Sequence, residues 1–364
     1  MDPQTVFCPN PDCPASGQLG HGNIGSHARN RQCFMCHVCH RPFSSRHGTP
    51  FYRRRTDEAT ITLVTTLVAH GCPIPAMQAA FGFQRRTVHA WVDAAGTHCQ
   101  RLHEPLVLQP RDFKQVQADE LRVKTQQGVV WMAMAMMVST RLWVGGVLSP
   151  ARDKHLISAL VALIVACALP RPLLLVTDGL VTYLKAFRRA FRTPRPSAGR
   201  GRPCLLPWPK LVIGQVVKQY RRRRVVGVGQ RLVQGSATLA KHLIRQTQGG
   251  GVLNTAYIER LNGTFRARLA VLVRRTRGAA RRQARLHAGM YLIGTVYNFC
   301  SYHDSLTVRE QGRRTPAMAA GITDHCWSVS ELLHQPVPLP RWHPPKRRGR
   351  RSKQLQQLID RWCT

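Results

Sequence analysis

"LISALVALIVACALPRPLLLVTDG", residues 156 to 179, joins a long apolar run to a short one across Pro170. The long run, 156–169, is too short to span a bilayer, and it stops at a residue that cannot continue a helix; it reads as a buried helix. The short run, bounded by proline on one side and Asp-Gly on the other, reads as a buried strand. Upstream, "FKQVQADELRV" (113–123), "GVVWMAMAMMVST" (128–140) and "RLWVGGVLS" (141–149) are three further β-rich runs. Three strands, a helix and a fourth strand begin an α/β domain built on a mixed sheet. Asp119 falls in its first strand and Asp178 at the carboxyl end of the fourth, where such sheets place their chemistry.

The next acid after Asp178 is Glu259, in "NTAYIERLNGTFRARL" (254–269), a stretch that reads as a helix from about Asn254. Between Gly179 and His303 the chain holds 25 Lys and Arg and no other carboxylate. Two divalent cations about 4 Å apart, one on the attacking and one on the leaving oxygen of a phosphodiester, need carboxylates to offset their charge. Asp119, Asp178 and Glu259 are the candidates, with Glu120 and Asp153 also within reach. The long stretch between Asp178 and Glu259, about 193–250, reads as an insertion before the last catalytic helix.

Composition agrees with a polyanionic partner. The 364 residues carry 54 Lys and Arg against 17 Asp and Glu, a formal charge of +37, and a surface of that kind seeks nucleic acid. Neither a secretory signal nor a membrane span is legible, so a reducing cytoplasm is expected and the 12 cysteines are better metal ligands or core thiols than disulfides. Cys8 and Cys13 form one close pair, and Cys36 and Cys39 another. Two such pairs gather a tetrahedral Zn²⁺ with no vacant coordination position, so the metal is structural. Cys33 offers a competing register with Cys36, and His37 or His40 a nitrogen ligand; the chosen register puts Phe43 on a strand leaving the knuckle.

After "FYRRRT" a helix starts near Thr56, capped there with Asp57 and Glu58 in its first turn, and ends by Gly71. "IPAMQAAFGFQRRTVHAWV" (74–92) then opens a helix at Pro75, turns at Gly82, and starts a second helix at about Gln84 that buries Val88, Trp91 and Val92. That is a helix-turn-helix pattern, whose second helix offers Gln84, Arg85, Arg86 and His89 to the major groove. Arg221, Arg222, Arg223 and Arg224 form a run suited to phosphates of any sequence.

"QADELRV", "LLLVTDGLVTY" and "NTAYIERLNGTFRARL" resemble the three acidic motifs of DDE transposases from bacterial insertion sequences, and the zinc ribbon and helix-turn-helix resemble the amino-terminal half of such enzymes. The resemblance covers residues 1 to about 330. It implies Asp119, Asp178 and Glu259 as a Mg²⁺ (or Mn²⁺) triad, with Arg260, Asn262 and Arg266 beside it on DNA. "VYNFCSYHDSL" resembles a late motif that brings Asn298 and His303 near the site. The expected fold is multidomain α/β: a zinc ribbon (1–50), a helix-turn-helix domain (51–110), a ribonuclease H-like catalytic domain (111–325) whose mixed sheet is flanked by helices, and a basic flexible tail (326–364). The implied partners are double-stranded DNA, both element ends and target, and further copies of the chain, in a nucleoid-associated cytoplasmic setting. A tyrosine recombinase using Tyr257, hinted at by "HLIR" (242–245), and a non-catalytic DNA-binding regulator are the rival readings.

Overall fold

The computed structural model describes residues 2–28, 33–195, 204–222, 224–272, 282–309, 312–337 and 352–362. The chain divides into two compact units, Met1–Arg55 with His334–Thr364, and Thr56–Leu333. The first holds a three-stranded antiparallel sheet, β1 (Ile24–Ala28), β2 (Cys33–Cys36) and β3 (Pro42–Ser44), in that order. Its small core is Val6, Ile24 and Phe34 with cysteines among them, too little apolar surface to hold a fold without a further tie.

The second unit begins with α1 (Glu58–Ala69), α2 (Ile74–Phe81) and α3 (Arg85–Val107). Asp57, not Thr56, caps α1, its carboxylate accepting from the Thr60 amide at 2.7 Å. Gly82 ends α2 in the left-handed region (φ 71°), which costs glycine little, and Val88, Trp91 and Val92 of α3 are buried as the periodicity expects.

The sheet follows: β4 (Gln115–Thr125), β5 (Gly128–Met137), β6 (Leu142–Ser149), α4 (Lys154–Cys167), β7 (Leu173–Asp178), α5 (Val181–Ala190), β8 (Arg192–Pro194), β9 (Leu205–Pro207), β10 (Leu211–Arg221), β11 (Arg224–Gln234) and α6 (Ala237–Gln248). After these come α7 (Ala256–Arg268), α8 (Gln283–Phe299), β12 (His303–Val308), β13 (Gly312–Arg314), α9 (Pro316–Ala319) and α10 (Val329–His334), whereas α11 (Lys353–Trp362) belongs to the first unit. Six strands lie in the order β11-β10-β7-β4-β5-β6, with β4, β7 and β10 parallel and the outer pairs antiparallel. The fold is a multidomain α/β arrangement on a mixed sheet. On one face Val116, Ala118, Leu173 and Leu175 pack against α4 and α5; on the other Leu174, Val176, Val212 and Val216 pack against α6.

Three expectations are corrected. The segment 193–250 is not an insertion as a whole: β10 pairs with β7 from Leu211↔Leu173 to Val216↔Asp178, so it is an interior strand of the sheet, and α6 covers one face. Its neighbour β11 is the edge strand, joined to it through the arginine run at 221–224. The helical segment is not a unit apart, because α3 runs against α8 so closely that a Cβ at Gly96 would clash with the carbonyl of Ala288. The segment 326–364 contains α10, with Leu332 and Leu333 fully buried, and α11. Within the first unit, His334 meets the Phe51 ring at 4.6 Å and the Val337 amide donates to Gly48 O at 3.4 Å. The basic run 344–353 lies, except for Ser352 and Lys353, outside the described residues.

Candidate functional site

Strand alternation on β4 assembles the site. In "QVQAD" the odd residues, Gln115, Gln117 and Asp119, point to the α6 and α7 face and the even ones to the core under α4. Gln115 accepts from Thr247 and, at 3.0 Å, from Gln248 of α6. Gln117 donates to Asn254 O at 2.7 Å and accepts from the Ile258 amide at 2.9 Å, which fixes the start of α7. Asp119 accepts from Asn262 Nδ2 of the same helix at 2.8 Å. The bonds from Gln117 and Asp119 make this polar face a seat for α7, with Gln115 Nε2 and Asn262 Oδ1 buried and without a partner among the described residues. The parallel register carries Gln117 beside Val176 and Asp178 beside Val216, which brings Asp119, Asp178 and Lys218 to the same edge.

An open cleft of about 590 Å³ results, lined by Asp119 and Asp178 on the sheet, Glu259, Asn262 and Arg266 on α7, and Arg152 and Lys218 opposite. All three expected acids reach it. The three carboxylates whose oxygens lie within 4.8 Å of one another, however, are Asp119, Glu120 and Asp178. Glu120, whose side chain is fully buried, was eligible in the sequence but not chosen; Arg152 Nη2 ties it at 3.2 Å to Asp178 at 3.1 Å. Glu259 stands outside this group, with Lys218 Nζ at 2.6 Å and Thr255 Oγ1 at 2.8 Å on its Oε1.

The electrostatics follow from crowding. Burial, then the charges of Asp178 and Glu259, push the Asp119 carboxyl up to about 6 against the pull of the Glu120 amide and Arg152. Burial likewise raises Glu120 to about 7, despite Arg152. Glu259 goes the other way: burial opposes its charge, but the hydrogen bonds of Lys218 and Thr255 outweigh it and hold the carboxyl below its usual range. Carboxylates gathered this closely could bind a divalent ion through their oxygens.

In the first unit the Sγ atoms of Cys8, Cys13, Cys36 and Cys39 lie within 4.8 Å of one another, with Cys8 to Cys39 at 3.6 Å and Cys13 to Cys36 at 3.9 Å. Tetrahedral bonds of about 2.3 Å to sulfur require about 3.8 Å between sulfurs. The cluster can hold a structural metal, in the register that leaves Cys33 out, and β3 carries Phe43 away from the knuckle. Asn23 Nδ2 lies 3.2 Å from Cys36 Sγ. Burial alone would raise the Cys36 thiol, but hydrogen bonds from the Cys39 and Val38 amides help bring it to about 7, favouring the thiolate a metal needs.

The remaining candidates are dispersed. Gln84, Arg85 and Arg86 are exposed at the start of α3, and His89 is half-buried, with burial and then the charge of Arg285 lowering its pKa. Arg221 and Arg224 face solvent at the ends of β10 and β11, Arg222 turns between them at φ 47°, and Arg223 lies outside the described residues. Arg260 is exposed on α7 but turned away from the acids. Asn298 is not at the cleft: fully buried, it accepts from Trp143 N and donates to Trp143 O, both at 2.9 Å, tying α8 to β6. His303 and Tyr257 line a separate pocket. No helix among the described residues is long and apolar enough to cross a membrane. No protein-family model matches the chain, and no curated protein matches it.

Proposed function

We propose that the chain is a DNA transposase of the DDE type, which binds the ends of its element, hydrolyses a phosphodiester there and joins the freed 3′-OH to target DNA. The observation that carries this reading is the convergence of Asp119, Asp178 and Glu259, far apart in sequence, on one cleft in a chain of charge +37. Mg²⁺ or Mn²⁺, when bound, would supply Lewis-acid activation of the attacking and leaving oxygens. Asp119 and Asp178, with Glu120 behind them, would hold one cation, and Glu259 would face a second across the cleft. Asn262 orients the Asp119 carboxylate, and the Gln117 bonds to the start of α7 set how far Glu259 reaches. Arg152, Lys218 and Arg266 would neutralise the phosphates on either side of the scissile bond. Zn²⁺ is the structural metal proposed for the four cysteines, and the exposed first turn of α3 the reader of the element ends.

Bringing two ends together calls for two or more copies of the chain, working at the nucleoid in the cytoplasm. The deciding experiment is cleavage of a duplex carrying the inverted repeats that flank the coding segment. EDTA should abolish cutting and Mg²⁺ or Mn²⁺ restore it, with no protein left covalently on DNA. Metal-independent cutting through Tyr257 would overturn this reading in favour of a tyrosine recombinase; binding without cutting under every metal condition would leave a DNA-binding regulator.

A further inference from the structure

Helix α7 has two working faces. Glu259, Asn262 and Arg266 look into the acid cleft, whereas Tyr257, Arg260, Leu261 and Thr264 line a second pocket of about 320 Å³ closed by Arg141, Tyr297, His303 and Ser305. The helix, about 10 Å across with its side chains, is the wall between them.

Arg141 is the unusual member. It is only 8% exposed, yet among the described residues no carboxylate lies within ion-pair distance of it or of Arg260. A buried guanidinium without a counter-ion is costly, and this one also sits on a left-handed backbone (φ 60°) in the turn between β5 and β6. The surroundings hold it in place. Its guanidinium lies 3.9 Å from the centre of the Tyr257 ring, Nη1 donates to Val138 O, and Nε donates to Ser305 Oγ at 3.4 Å. Tyr297 donates its hydroxyl to Arg141 O at 3.1 Å, and Ser305 Oγ also meets His303 Nδ1 at 3.0 Å. The nearby acid, Asp304, pairs outward with Arg313 at 3.1 Å and is exposed.

We infer that this pocket is a phosphate subsite, which takes a backbone phosphate of the nucleic-acid strand engaged at the acids on the other side of α7. The identity of that strand rests on the function proposed above; the anion preference rests on the pocket alone. Nη2 of Arg141, the Arg260 guanidinium and the His303 imidazole supply donors of the kind that phosphate oxygens accept, whereas Nε and Nη1 of Arg141 and the Thr264 hydroxyl already donate to Ser305 Oγ, Val138 O and Arg260 O.

The test uses the full chain in EDTA, so that binding is read apart from cleavage. The His303 imidazole resonances, identified by their loss in His303→Gln, are followed while inorganic phosphate or a single-stranded 20-nucleotide DNA is added. The DNA is expected to move them at lower concentration than inorganic phosphate does. In Arg260→Ala the movement should vanish, affinity should fall about tenfold, and the salt dependence should become less steep by about 0.7 in log–log slope, the share of one phosphate on a single strand. Arg141→Lys, which keeps the charge and loses the fork, should show a smaller loss. DNA binding that leaves His303 unmoved, an unchanged response in Arg260→Ala, or a response to inorganic phosphate only would each overturn the proposal. If the response is as expected but the protein never cuts DNA with Mg²⁺ or Mn²⁺, the pocket stands and the transposase reading falls.

Discussion

Lys218 Nζ lies 2.6 Å from Glu259 Oε1, so the lone acid of a cationic segment is engaged by a neighbouring strand's ammonium. With both side chains more than a third exposed, the pair is worth at most about 1 kcal/mol to stability. Glu259→Gln keeps the size and the bond to Thr255 but removes the charge. Cleavage of end DNA should fall by two or more orders of magnitude while affinity for the same DNA is unchanged or slightly tighter, which a gel assay and anisotropy would separate. Equal loss of both would make Glu259 structural.

The crowded carboxylates make a stability prediction with a definite sign. Asp119 at about 6 and Glu120 at about 7 lie above the ordinary values of unfolded carboxylates, so the folded state binds extra protons between about pH 4 and 7. Their contribution is fully present below the unfolded values of 3.8 and 4.5 and is lost as pH rises through 6 to 7. Without divalent ions, Asp119→Asn should therefore stabilise the chain at pH 7.5 by about 1 to 2 kcal/mol in urea melts. Mn²⁺ should raise the melting temperature more at pH 7.5 than at pH 5, because protons compete for its ligands. A cation effect independent of pH would show that it binds elsewhere.

The two acid groupings are separable by cation affinity. Asp119→Asn and Asp178→Asn should each weaken Mn²⁺ binding by about a hundredfold, and Glu120→Gln, acting from behind Asp178 through Arg152, by about tenfold. Titration followed by electron paramagnetic resonance reads this directly. If Glu120→Gln were the most damaging of the three, Glu120 would be a ligand in its own right.

For the cysteine cluster, the purified chain should contain about one zinc. Cys36→Ser or Cys39→Ser should release it and unfold the small antiparallel sheet, whose core is too slight to stand alone, since binding free energy at such a site is folding free energy. Cys33→Ser should retain the metal. The reverse result would restore the rejected register.

Replacing Arg85, Arg86 and His89 with Ala should reduce preference for element ends over random DNA. Replacing Arg221, Arg222 and Arg224 should weaken binding to all sequences and flatten its salt dependence. Equal effects on preference from both sets would remove α3 from the role of reader.

How much of this was legible depended on whether the signal was local. The apolar run at 156–169, the proline stop, the β-rich run at 113–123 and the short apolar run before Asp178 announced α4 and the two aspartate strands, because a pattern within one element survives any tertiary context. The cysteine pairs were legible for the same reason. β10 is strand-like in sequence but reads as part of an insertion, because the arginine run at 221–224 carries it straight into β11 and a strand interior to the sheet on its first half is exposed on its second. Glu120 stands outside the expected triad because it alternates with Asp119 along the strand; that its carboxylate comes within 4.8 Å of Asp119 and Asp178, tied to the latter by Arg152, 32 residues later, is a relationship only the fold creates. Arg141 and Lys218 carried no signal, since a lysine or arginine among so many is distinguished only by what lies next to it in space.

The non-sequential strand order has a bearing on how a growing chain behaves. The hairpins of β4 to β6 can form from local contacts, but β7 must pass α4 to reach β4, β10 must then dock on β7, and α7 must find its seat on Gln117 and Asp119. Pairings of this range are slow steps. A polypeptide cut short before residue 254 would hold the sequence of α3 with its arginines and all six strands of the sheet, yet have neither Glu259, nor the helix that closes the cleft, nor the α8 on which α3 packs. On the function proposed above, such a fragment would occupy the same DNA without processing it, and so act as a competitor of the full-length chain.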